Sequence, residues 1–116
     1  MISHVVLLKP KAGLDSGQRR ALADAFGRAT REIPTVRGVR IGARVKVGSG
    51  YESAMPDAAD FMAIIDFDDV EGLKAYLHHP VHQELGARFW ESLASAFVYD
   101  FDVAGLEMLD RLVESP

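Results

Sequence analysis

Phe61-Met62-Ala63-Ile64-Ile65-Asp66-Phe67 (FMAIIDF) decides the fold, because six of its seven residues are apolar and no helical stripe is visible in it. A short run of this kind, rich in β-branched and aromatic residues, is expected as a strand apolar on both faces. Downstream, Val70, Leu73, Tyr76 and Leu77 recur at helical spacing until Pro80. A second helical stretch follows, with Leu85, Phe89, Leu93 and Trp90 expected on its buried side. Phe97, Tyr99, Phe101 and Val103 then alternate with Val98, Asp100 and Asp102, the pattern of a last strand. Beyond it, Leu106, Leu109, Leu112 and Val113 predict a short amphipathic helix packed on the body or on a second copy.

Upstream of residue 61, residues 48–60 (GSGYESAMPDAAD) read as a loop, long enough to be a lid or mobile segment. Val39, Ile41, Ala43, Val45 and Val47 alternate with Arg40, Gly42, Arg44 and Lys46, which predicts a half-buried strand. Asp15 and Gln18 have the spacing of a capping box, and Leu22, Phe26, Ala29 and Ile33 continue as a helix over residues 16–32 that Pro34 ends. Ile2 to Lys9 (ISHVVLLK), closed by Pro10 and Gly13, is a second doubly apolar strand.

The element order is β-α-β-β-α-β, an α+β, ferredoxin-like plan with an antiparallel four-stranded sheet and its helices on one face. Two helices cover only one face of such a sheet. The other spans on the order of 350 Å² in projection, from ~4.8 Å strand spacing and ~18 Å strands. An apolar patch of that size marks an interface, and its simplest cover is the same face of a second copy. The alternative cover is the 48–60 loop together with the C-terminal helix.

The chain has 116 residues, enough for one domain, with 48% hydrophobic and 26% charged residues. A net charge of −4 with interspersed signs argues against a nucleic-acid partner. The absence of cysteine removes disulfides, thiolate nucleophiles and Cys-based metal sites, and fits a cytoplasmic protein. No apolar run approaches the ~20 residues of a membrane span, so no membrane association is expected.

Three of the four histidines fall within Tyr76-Leu77-His78-His79-Pro80-Val81-His82. Pro80 disfavours helical geometry at His79 and suits the first turn of a new helix. His82 then sits in that first turn, where the helix dipole disfavours an imidazolium. A neutral histidine there is a candidate general base, and the Tyr76 hydroxyl a candidate donor to a developing enolate. Tyr76 also falls on the buried stripe of its helix, as a core tyrosine with its hydroxyl at the edge would. His78 and His82 are four apart, but Pro80 breaks the helix that would align them, so no metal is expected. By alternation His4 shares a face with Ile2, Val6 and Leu8. If that face looks toward a second copy, His4 lines a closed cavity with His82 near its mouth.

The opening S-H-V-V-L-L-K, the run A-I-I-D-F-D-D-V-E-G-L-K-A-Y, the H-P-V-H motif and the closing Y-D-F resemble the stress-responsive dimeric α/β-barrel (Dabb) domain over residues 2–103. Residues 104–116 form a C-terminal extension beyond it, and Lys9-Pro10 stands where the family often continues with an aromatic residue. The resemblance implies a ferredoxin-like protomer whose sheet pairs with its mate to form a barrel. One branch of the family comprises polyketide cyclases that perform aldol closure without a cofactor, using a Tyr and a His of a Y-x-x-H-P-x-H motif. Tyr76 and His82 match that catalytic pair, His4 matches a pocket-lining histidine, and His79 accompanies it as a ligand-binding candidate. The expected function is therefore a homodimer binding a small, largely apolar molecule in a barrel-side cavity. The alternatives are a cofactor-independent cyclase or lyase and, in the wider superfamily, a monooxygenase acting on a quinol or haem.

Overall fold

The computed structural model describes residues 1–114. Strands β1 (Ile2–Pro10), β2 (Gly38–Ala43), β3 (Phe61–Phe67) and β4 (Leu93–Asp102) form one antiparallel sheet in the order β2-β3-β1-β4. Helices α1 (Ser16–Glu32), α3 (Val70–His78) and α4 (Pro80–Ser92) supply the two connections of the ferredoxin-like plan, the second broken in two. A short helix α2 (Gly50–Ala54) interrupts the 48–60 loop, and a 3-10 turn (Leu106–Met108) leads into α5 (Leu109–Glu114).

Local chemistry sets these boundaries. Asp15 accepts a hydrogen bond from the Gln18 N–H at 2.7 Å while the Gln18 side chain accepts from the Asp15 N–H, which closes the capping box of α1. Asp69 caps α3 with a single side-chain bond, accepting from the Gly72 N–H. His79 is extended, at φ −68° and ψ 140°, because Pro80 excludes helical geometry before it. The break ends α3 at His78 and starts α4 at Pro80 as a separate helix.

Strand register divides the sheet into two faces. Cross-strand partners His4, Ile65 and Asp100 share one face, as do Val6, Ala63 and Val98. The alternate face carries Val5 with Ile64 and Tyr99, then Leu7 with Met62 and Phe97. The core lies on the first face: Val6, Ala63, Ile65 and Phe67 are buried against Ala25, Ala29, Leu73, Tyr76 and Leu85. Ala25 and Ala29 are the buried residues of α1, whose close packing partner is α4. Burial of Phe67 and Ile65 contributes roughly 1.5–3 kcal/mol each.

His4 therefore points under the helices, and the face that would meet a second copy is the opposite one. On that open face Phe97, Tyr99 and Phe101 are 41%, 56% and 52% exposed. Neither the 48–60 segment nor the C-terminal helix covers them, so the intramolecular cover considered above does not form.

Two sequence expectations are corrected. The second strand ends at Ala43, not Val47: its last ladder pair joins Ala43 to Phe61, the first residue of β3, and one further backbone hydrogen bond, from the Arg44 N–H to the Asp60 carbonyl, closes the pairing. Val45 and Val47 are consequently exposed. Trp90 is 77% exposed, since Leu85 and Phe89 occupy the inward side of α4, and Leu93 opens β4 instead of ending the helix. The C-terminal helix forms, yet Leu106, Leu109, Leu112 and Val113 stay exposed within their own chain. No helix among the described residues is long and apolar enough to cross a membrane.

Candidate functional site

Between the core face of the sheet and helices α1 and α4 lies a cavity of about 470 Å³. Its walls are apolar: Val6, Leu8 and Ala63 from the sheet, Leu22 and Phe26 from α1, Leu85 and Phe89 from α4. Ile41, Phe61, Trp90 and Val98, each at least 40% exposed, form its rim. Polar side chains enter it at His4, Tyr76 and His82, and no Lys, Arg, Asp or Glu lines it among the described residues.

Those three residues reach one corner from three elements. His4 comes from the centre of β1, Tyr76 from the last turn of α3, and His82 from the first turn of α4 beyond the proline break. The Tyr76 ring lies against His82 at 4.7 Å between centroids, against Phe67 at 5.1 Å and against His4 at 5.9 Å. The six-residue interval between Tyr76 and His82 would leave them on different faces of an unbroken helix. The extended His79 turns the chain so that they meet.

Electrostatics gives the two partners different roles. Burial pushes the Tyr76 phenol up to about 12, so it keeps its proton and can donate a hydrogen bond at neutral pH. His82 is pushed below its ordinary value, chiefly by burial and secondarily by neighbouring His4, against a hydrogen bond to the Leu77 carbonyl. The direction agrees with the sequence expectation. The principal cause is desolvation, which depends on tertiary packing.

His4 is 5% exposed, and its Nδ1 lies 2.6 Å from Oδ1 of Asp100 on β4. In the neutral ring, a proton on Nδ1 donated to that carboxylate leaves Nε2 as an acceptor, so the contact selects the tautomer. Asp100 was not among the sequence candidates. Its signal was its register partnership with His4, invisible before the strands are paired.

The remaining histidines play other parts. His79 does not line the cavity: its Nδ1 accepts the Val81 N–H at 3.1 Å and caps α4. His78 ends α3 in an exposed position. No group of three or more potential His, Asp or Glu metal ligands occurs among the described residues.

The chain is a two-layer ferredoxin-like domain with an apolar cavity beneath its helices and a Tyr–His pair at one corner of that cavity. The chain belongs to the stress responsive A/B barrel domain family, whose profile matches residues 2–103. An uncharacterised protein of Streptomyces coelicolor is 32% identical over 104 residues, which cover 88% of this chain and 99% of that protein. Among solved structures, an Arabidopsis thaliana protein superposes with a TM-score of 0.76 at 20% identity, covering 91% of this chain and 98% of that one. A hydroxynitrile lyase from Passiflora edulis has a TM-score of 0.75 at 14% identity, with 89% and 93% covered. A dimeric ferredoxin-like protein from Thermobifida fusca has a TM-score of 0.68 at 24% identity, with 88% and 90% covered. These likenesses show a shared fold.

Proposed function

We propose that the protein is a homodimer that binds a small, largely apolar molecule bearing a carbonyl group in the cavity of each protomer. The cavity carries this proposal: about 470 Å³ of apolar wall with polar groups from His4, Tyr76 and His82 at one corner. Ligand pockets are usually of this kind, with apolar walls fixing affinity and a few polar atoms fixing orientation. Dimerisation is supported by the exposed aromatic row on the open face of β4 and by neighbours of the same fold described as dimeric.

The Tyr76–His82 contact favours a second reading, a cofactor-independent lyase or cyclase. His82, neutral because it is desolvated, takes a proton from the carbon α to the carbonyl. Negative charge then develops on the carbonyl oxygen, to which the protonated Tyr76 hydroxyl donates. A hydroxynitrile lyase with the same architecture is in keeping with lyase chemistry on this scaffold.

Methyl nonyl ketone serves as a probe for both readings. Saturable quenching or enhancement of Trp90, the chain's one tryptophan, together with a rise in Tm on adding the ketone, is expected for binding. Protein-dependent incorporation of deuterium at the ketone's α-carbon in D2O, followed by NMR, is expected for the base. Failure of neutral apolar carbonyl compounds to shift either Tm or fluorescence would overturn the binding proposal. Binding without exchange would overturn the catalytic one.

A further inference from the structure

Gly86 occupies the interior of α4, where glycine is among the poorest helix formers. Interior glycines are often explained by close approach of another element. That explanation fails here, because a Cβ built on Gly86 would meet no atom within 4 Å. Gly86 instead lines the cavity, one turn after His82 and one turn before Trp90. The three therefore form a stripe along the cavity side of α4, spanning ~12 Å at ~1.5 Å per residue. At one end stand the Tyr76 and His82 side chains, at the other the exposed indole on the rim. The absence of Lys and Arg from the lining leaves a ligand's carboxylate or phosphate with no cationic partner there.

We infer that Gly86 is the specificity-determining residue of the cavity. Its missing side chain leaves a channel for the apolar tail of an uncharged ligand, whose carbonyl lies between Tyr76 and His82 and whose tail runs past Gly86 to Trp90. This rests on the cavity-binding proposal above and adds the ligand's charge and the residue that limits its length. A methyl group at position 86 enters the channel midway without meeting a neighbouring atom, and a longer side chain reaches farther across it. Short ligands, confined to the corner near His82, are unaffected.

The test compares wild type with Gly86→Leu and Gly86→Ala against methyl propyl ketone, methyl nonyl ketone and decanoate, read by Trp90 fluorescence and by Tm. Wild type is expected to bind both ketones and to prefer either of them to decanoate. Gly86→Leu should bind methyl propyl ketone as wild type does and methyl nonyl ketone about tenfold or more weaker, the order of effect of a methylene-sized change in an apolar pocket. Gly86→Ala should show a smaller loss in the same direction while unfolding at a higher temperature than wild type, since alanine is the better helix former. If Gly86→Leu fails to fold, the alanine variant alone decides the length dependence. Equal loss for both ketones, or no loss for the long one, overturns the role of Gly86 while cavity binding stands. Decanoate binding as tight as the ketone overturns the requirement for an uncharged ligand. Wild type that binds neither ketone overturns this inference and the binding proposal together.

Discussion

Replacing Tyr76 by Phe separates chemistry from packing at the proposed site. The ring is 1% exposed, and its contacts with Phe67, His82 and His4 involve ring carbons that phenylalanine retains. One hydroxyl is lost. Burial is the cause that holds this phenol near 12, so the substitution removes a neutral donor and no charge at pH 7. The stability change should lie within about 1.5 kcal/mol, the range for one hydrogen bond. Truncation to Ala, by contrast, removes the ring and should cost roughly 3–5 kcal/mol. If Tyr76 stabilises a developing enolate, Tyr76→Phe should slow α-deuteron incorporation into methyl nonyl ketone by on the order of 10²-fold, or roughly 2.7 kcal/mol of barrier. Urea denaturation and the NMR exchange assay, run on one preparation, measure both quantities. Exchange at the wild-type rate would refute the donor role. A stability loss well beyond 1.5 kcal/mol would show that the hydroxyl is structural.

Four further outcomes are expected. His82→Gln should leave the protein folded and reduce deuterium exchange by about 10²–10⁴-fold, the usual worth of a general base, and an unchanged rate removes His82 from the mechanism. The His82 imidazole is held below its unfolded value near 6.5, so below that pH the unfolded chain binds a proton that the folded chain does not. Stability should fall as pH drops from about 6.5, less so in His82→Gln, with His4, Tyr76 and Asp100 the other titratable groups at this corner, and urea midpoints across pH 5–8 measure it. Asp15→Ala removes the capping box of α1 and should cost about 1 kcal/mol by the same denaturation, whereas no change would mean that Gln18 alone suffices. Light scattering at micromolar concentration should give the mass of a dimer, and replacing Tyr99 and Phe101 on the open face by Lys should shift it toward the monomer. A wild-type monomer would refute the sheet-to-sheet assembly.

Much of the architecture is written in local pattern. The doubly apolar runs at 2–9 and 61–67 become β1 and β3, the two central strands of the sheet, because only a buried strand uses both faces. The capping box at Asp15 and the stop at Pro34 place α1 at Ser16–Glu32, since caps act through backbone groups a few residues away. Pro80 dictates the break at His79 for the same short-range reason. Three matters depended on partners distant in sequence. The face on which His4 lies is fixed by where the helices pack, and alternation assigns companions to a residue without assigning a side of the sheet. Asp100 joins His4 only through strand register across 96 positions of chain. The end of the β2 ladder at Ala43 and the exposure of Trp90 at the cavity rim follow from what stands opposite each residue. Periodicity records that a side chain is apolar, but only the assembled tertiary structure supplies, or withholds, the surface that covers it.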